Sequence, residues 1–181
     1  METIKNSKAH FIWLDNLKAF GIIAVILGHI TSPFGAFIFA WHMPLFFMMA
    51  GFFIKTNYSL FKLIQRDFKR LMLPYFVFGI LGIIVEFMKR IVLDREAFVW
   101  GEELINLFYW MDAPSLVNTY AFVLWFLPTL FVAKCILYFV FKNIAREFIR
   151  FIAIMIFFSI SFFVNTPFAF DEALNAVLFV Y

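Results

Sequence analysis

Three ionisable side chains interrupt an apolar stretch near the start of the chain. Asp15, Lys18 and His29 lie within LDNLKAFGIIAVILGHI at residues 14–30, whose other members are almost all apolar. An ionisable group inside a membrane span costs roughly 2.5–3.5 kcal/mol on insertion scales, so it needs a buried partner or a function. On a helix, Lys18 and His29 share one face about 16 Å apart along the axis, and Asp15 lies within about 40° of that face. This stripe is predicted to face the protein interior or a watery cavity.

The chemistry that the stripe could perform is proton transfer. His29 has the side chain best suited to take and return a proton near neutral pH, which is what activation of a hydroxyl requires. A structural interpretation stays open, in which His29 packs between helices while Asp15 and Lys18 reach the headgroup zone.

A second histidine, His42, opens the next apolar stretch in AWHMPLFFMMAGFF. A tight hairpin through residues 32–39 would bring it towards the far end of the first helix. Two histidines at one cavity suit hydroxyl activation and also a metal ion, but no third ligand stands at a useful spacing, so no metal site is predicted. Alternatively, His42 is a turn residue that bonds the backbone exposed before Pro44.

A basic edge precedes the third apolar stretch. Arg66, Lys69 and Arg70 follow one another at i, i+3 and i+4, the spacing of neighbours on a helix surface. Guanidinium and ammonium groups pair with phosphate oxygens, so this edge could hold a phosphorylated ligand. The positive-inside rule produces the same cluster in any membrane protein.

Composition identifies an integral membrane protein. Hydrophobic residues make up 65% of the 181 residues and charged residues 15%, and the mean hydropathy is +0.92. The net charge of +3 comes from basic residues between apolar runs, which indicates membrane topology and not a nucleic-acid partner. The single Cys135 is interpreted as a packing residue.

The predicted fold is an all-α, polytopic transmembrane bundle with five to six spans of a larger bundle. Lys5 and Lys8 precede the first span, and basic residues dominate the segments after residue 54 and at 142–150, whereas acidic residues dominate 89–118. The positive-inside rule therefore predicts a cytoplasmic N-terminus. The expected location is the plasma membrane, which is the inner membrane in a bacterium, with several crossings of the chain. The loop at 89–118 is predicted to lie outside and to contain a short helix near residues 100–110. The spans are predicted at residues 17–37, 40–54, 71–88, 119–141, 151–164 and from 168 onwards.

Four blocks of the sequence resemble the acyltransferase family 3 of multispanning membrane acyltransferases, particularly its fucose 4-O-acetylase-like branch. The blocks are LDNLKAFGIIAVILGH at 14–29, WHMPLFFMMAGFF at 41–53, KRLMLPYFVFG at 69–79 and LWFLPTLF at 124–131. The resemblance implies transfer of an acyl group, usually acetyl, from cytoplasmic acyl-CoA to a hydroxyl of a sugar or glycan. Its partners would be acetyl-CoA as co-substrate, the glycan acceptor and membrane lipid, with no metal.

The resemblance also assigns roles. The family's first-span signature is an arginine, ten residues and a histidine, and it falls on Lys18 and His29, so lysine replaces the arginine and its bidentate fork. His29 would be the general base or acyl relay, with His42 as a second catalytic candidate. Lys18 would bind or orient the donor, Asp15 would orient Lys18, and the basic edge of Arg66, Lys69 and Arg70 would hold the phosphates of CoA.

Family members resemble bundles of about ten spans, which need well over 300 residues. The chain at 1–181 is therefore expected to be the N-terminal part of one membrane acyltransferase domain, truncated near Tyr181, with the missing half or a second copy as a possible partner. Two other interpretations stay open: a non-catalytic transport or scaffold bundle, and an inactive truncated remnant.

Overall fold

The structure is a computed structural model that describes residues 12–30, 35–52, 54, 57, 59–94, 99–117, 119 and 121–181. These residues form α-helices and short π- and 3₁₀-helical turns, with no strand among them, which confirms the predicted all-α class. The α-helices are α1 (Ile12–His29), α2 (Gly35–Gly51), α3 (Leu60–Asp67), α4 (Leu73–Val92), α5 (Trp100–Ile105), α6 (Ala113–Leu116), α7 (Phe126–Asn143), α8 (Glu147–Ser161) and α9 (Phe170–Val180).

Helices α1 and α2 form an antiparallel hairpin. Trp13 meets Phe52 edge to face at one end, and Gly21 is so close to Phe46 that a Cβ at this glycine would lie 2.8 Å from the ring. The second predicted span began too late, because α2 starts at Gly35 and continues through Pro44. His42 consequently lies inside a helix and not in a turn at its start.

Helices α3 and α4 join into one helix through a π-helical segment, Phe68–Met72. A proline cannot donate to the carbonyl four residues back, and the wider turn that precedes Pro74 re-pairs the backbone, with the Leu73 N–H bonded to the Phe68 carbonyl. This helix contains the predicted third span at 71–88 and starts eleven residues before it, at Leu60, with Ser59 as its N-cap.

The predicted helix near residues 100–110 is present as α5 and a second π-helical segment, Asn106–Trp110. It runs back along α4. The Tyr75 hydroxyl donates to the Leu107 carbonyl at 2.9 Å near one end, and Phe87 packs on Trp100 with ring centroids 4.9 Å apart near the other.

The main apolar core lies where α7, α8 and α9 meet α2. Its members are mostly small or aliphatic, which lets the helices approach closely: Phe47, Leu130, Ala133, Leu137, Ile154, Ala173, Ala176, Val177 and Val180. The closest approach is at Gly51, where a Cβ would overlap the carbonyl group of Val180.

Two helices of the described chain are long and apolar enough to cross a membrane, Leu60–Val92 with 33 residues and Phe122–Asn143 with 22. Helices α1, α2, α8 and α9 have 18, 17, 15 and 11 residues, shorter than the roughly 20 that a span needs. Five to six spans are therefore not shown. Isoleucine, leucine and phenylalanine side chains are nevertheless widely exposed on α1, α4 and α8, as lipid contact would require.

Candidate functional site

The two polar residues at the start of α1 pair with each other. Lys18 Nζ lies 3.2 Å from Asp15 Oδ1, and both side chains are about half exposed, at 48% and 47%. An exposed pair of this kind contributes at most about 1 kcal/mol, so its value is in orienting the ammonium group. The backbone of His29 ends α1, and its side chain lies outside the described part of the structure.

A cavity of about 610 Å³, called the histidine cavity here, lies between α1, α2 and the start of α7. His42 is 2% exposed, and its Nδ1 is 2.8 Å from the Ile38 carbonyl oxygen, which fixes the ring in the cavity wall. The other described lining residues are apolar: Ile22, Val25, Ile26, Met43, Phe46, Ala113, Phe122, Val123, Trp125 and Phe126.

Helix α1 contributes Ile22, Val25 and Ile26 to the wall of this cavity. Ile22 and Ile26 follow Lys18 at i+4 and i+8, and the backbone of His29 follows three residues later on the same row. The cavity is therefore bordered by His42 and by the helix face that carries His29.

A basic groove of about 320 Å³ lies along α3 and the π-helical segment after it. Lys62, Gln65, Arg66 and Lys69 line it, whereas Arg70 is not among its described lining residues. The structure thus brings two of the three predicted basic residues together, with Lys62 as a neighbour that the spacing argument omitted.

A buried ion cluster supports the groove from inside. The Asp67 side chain is 2% exposed and accepts from Arg66 Nε at 2.7 Å and Arg66 Nη2 at 3.3 Å, while Lys134 Nζ of α7 lies 3.4 Å away. Arginine has five N–H donors, and this fork uses two of them, which fixes one side of the guanidinium group. Sequence reasoning missed this cluster, although a lone lysine within the apolar 122–141 stretch was a signal that it needed a buried partner.

A second cavity of about 320 Å³, called the carboxylate cavity here, lies between α2, α8 and α9. Its polar lining residues are Ser161, Asp171, Glu172 and Asn175, and Met43 and Trp125 line both this cavity and the histidine cavity. Sequence reasoning missed this site as well. The signal was the run FDEALNA, which starts an apolar helix with two acids and an asparagine.

Glu172 is held in place by two donors. Its Oε1 accepts from the Ala113 N–H at 2.8 Å, and its Oε2 accepts from the Thr129 hydroxyl at 3.1 Å. The Thr129 hydroxyl oxygen also lies 3.0 Å from the Trp125 carbonyl oxygen, so its single proton is shared between this carbonyl and Glu172. Within the described residues, no group of three His, Cys, Asp or Glu side chains could hold a metal ion.

The described part of the chain combines two helices that are long and apolar enough to cross a membrane with a basic groove and a buried histidine that lines a cavity. Comparison with family models matches residues 11–181 to the acyltransferase domain of acyltransferase family 3. The chain belongs to this family, whose members are membrane proteins, and it is an acyltransferase. The resemblance read from the four sequence blocks is thereby confirmed at the level of the family. No curated protein and no solved structure matches the chain.

Proposed function

We propose that this acyltransferase moves an acetyl group from cytoplasmic acetyl-CoA to a hydroxyl of a cell-surface sugar or glycan, as in the fucose 4-O-acetylase-like branch. The observation that carries the proposal is the histidine cavity. It joins a buried imidazole to the helix face that bears His29, in surroundings that are otherwise apolar. An apolar wall keeps water from competing with the acceptor hydroxyl for the acyl group.

In the proposed reaction, His29 accepts the proton of the acceptor hydroxyl while the oxygen attacks the thioester carbonyl. The C–S bond breaks as the new C–O ester bond forms, and the proton is returned to the sulfur of CoA. A positioned general base contributes about 10²- to 10⁴-fold to such a step. His42 is the second candidate, with a ring orientation set by its contact with the Ile38 carbonyl.

The basic groove fits the phosphates of CoA by its donor set. Lys62, Arg66 and Lys69 supply ammonium and guanidinium groups along one helix edge. Lys18 would meet the donor from the start of α1, oriented by Asp15. The N-terminus would be cytoplasmic, and the protein would be a multi-pass protein of the plasma membrane, which is the inner membrane in a bacterium.

Histidine variants test the catalytic proposal. In membranes from cells that make the protein, His29→Ala should lower acetyl transfer from labelled acetyl-CoA to surface glycan by about 10²- to 10⁴-fold at equal protein level. His10→Ala changes the remaining histidine of the chain, to which no catalytic role is assigned. This variant is the matched control and should retain full activity. Unchanged acetylation with His29→Ala would remove the catalytic role and favour a transport or scaffold bundle.

Variants of the groove test donor binding separately. Arg66→Met and Lys69→Met should each raise the KM for acetyl-CoA about tenfold or more, because a hydrogen bond to a charged group contributes roughly 1.5–3 kcal/mol. Lys142→Met on α7 is the control, since this lysine bonds the Tyr138 hydroxyl and does not line the groove. An unchanged KM in both groove variants would show that the donor binds elsewhere.

A further inference from the structure

The carboxylate cavity is lined by polar side chains that binding of the acyl-CoA donor does not require. Four polar side chains line it, from the end of α8 and the first two turns of α9. No lysine or arginine is among its described lining residues, so it does not suit the phosphates of CoA.

One residue that lines this cavity has an acceptor atom without a partner. The Oδ1 atom of Asp171 is buried and has no hydrogen-bond partner among the described residues, whereas both oxygens of the neighbouring Glu172 lie within hydrogen-bond distance of a donor. Buried polar atoms are nearly always hydrogen-bonded, so this carboxylate is less fully bonded than its neighbour. Because Asp171 lines the cavity, a ligand hydroxyl bound there would meet this carboxylate.

The other lining residues of the cavity indicate which kind of ligand would fit. Asn175 can donate and accept, and Ser161 can do the same, which matches a ligand whose hydroxyls do both. Trp125 and Pro44 supply flat apolar surface beside these polar groups. This combination suits a neutral sugar ring, which has apolar C–H faces and a rim of hydroxyls.

We propose that the carboxylate cavity binds the acceptor sugar, with Asp171 and Asn175 as the residues that bind its hydroxyls. This inference rests on the proposed function and adds the location of the acceptor. Met43 and Trp125 line both cavities, so an acceptor bound in the carboxylate cavity lies next to the compartment of His42. A volume of about 320 Å³ lies at the lower end of the range for small-ligand sites, which fits one ring and not an oligosaccharide.

Binding of methyl glycosides tests this site without the need for turnover. The full chain is purified in a detergent without a sugar headgroup, and saturation-transfer NMR is recorded with methyl glucoside, methyl galactoside and methyl fucoside. Wild-type protein should transfer saturation to the ring protons of at least one of them. Asp171→Asn and Asn175→Ala should each weaken that affinity about tenfold, the loss expected for a hydrogen bond to or from a buried charged or polar site.

A matched control is Asn143→Ala, because Asn143 is an exposed asparagine of α7 that bonds only locally to the Phe139 carbonyl. It should leave glycoside affinity unchanged, and all three variants should bind CoA like wild type. Asp171→Asn keeps the shape of the side chain and should fold like wild type. The site can therefore still be tested with this variant if Asn175→Ala does not fold.

The outcomes separate the two proposals. No saturation transfer to any of the three glycosides, or equal affinity in wild type and in both cavity variants, overturns the acceptor site. Acetyl transfer that persists under those results leaves the proposed function standing. Glycoside binding that depends on Asp171 and Asn175 supports the acceptor site even if wild-type protein transfers no acetyl group, a result that would overturn the proposed function alone.

Discussion

Replacement of Lys134 by methionine removes one positive charge from a buried ion cluster while it keeps the length and apolar stem of the side chain. Asp67 is 2% exposed and has three contacts, two from Arg66 and one from Lys134. Loss of one partner of a buried pair costs about 3–5 kcal/mol when the other charge is left uncompensated. Because both Arg66 contacts remain, we expect Lys134→Met to lower the free energy of unfolding by about 1–3 kcal/mol.

Thermal unfolding in detergent measures this loss. For a chain of 150–250 residues, each kcal/mol shifts the midpoint by about 2–4 °C, so the expected decrease is about 2–12 °C. The double variant with Asp67→Asn should lose less stability than the sum of the two single losses by at least about 1 kcal/mol, because the contact between Lys134 and Asp67 can be lost only once.

Lys142→Met is the matched control, since it changes the same residue type on the same helix. Lys142 is exposed and bonds the Tyr138 hydroxyl at 3.2 Å, so its loss should cost less than about 0.5 kcal/mol. Equal midpoints for wild type and Lys134→Met, or additive losses in the double variant, would refute the inference that Lys134 compensates Asp67.

Two further substitutions test how the helices pack. Gly51→Ala would place a Cβ onto the Val180 carbonyl and should destabilise the protein by about 1–3 kcal/mol, whereas Gly101→Ala meets no atom within 4 Å and should be neutral or slightly stabilising in the same melting assay. Tyr75→Phe removes the hydroxyl that donates to the Leu107 carbonyl at 2.9 Å and should cost about 1 kcal/mol. A Gly51→Ala protein as stable as Gly101→Ala, or a Tyr75→Phe protein indistinguishable from wild type, would contradict the described packing.

The parts of the fold that follow from short-range sequence patterns could be predicted. Spacing alone placed Arg66 and Lys69 on one helix edge, and both line the basic groove. The helix at residues 100–110 was also predicted correctly. Each of these depends on residues within three turns of one another, where helical geometry fixes which side chains share a face.

The parts that were missed depend on contacts between residues far apart in the chain. Asp67 pairs with Lys134, and Thr129 with Glu172, across 67 and 43 residues respectively. Periodicity carries no information about which helices become neighbours, so neither cluster could be derived. The late start predicted for α2 had a different cause: Pro44 was taken as a helix boundary, whereas in a bundle neighbouring helices tolerate an internal proline.

The continuous helix from Leu60 to Val92 has a consequence for how deep the groove can lie. Its 33 residues extend about 50 Å, against a hydrocarbon layer of about 30 Å. Even at a steep tilt of 40°, the helix measures about 38 Å along the bilayer normal, so it must emerge from the lipid at one end or both. The end that carries Lys62, Arg66 and Lys69 is more stable in water, because charged side chains are costly to place in hydrocarbon. A ligand as polar as a nucleotide would then bind in the basic groove without entering hydrocarbon. Only its acyl group would have to move into the bilayer.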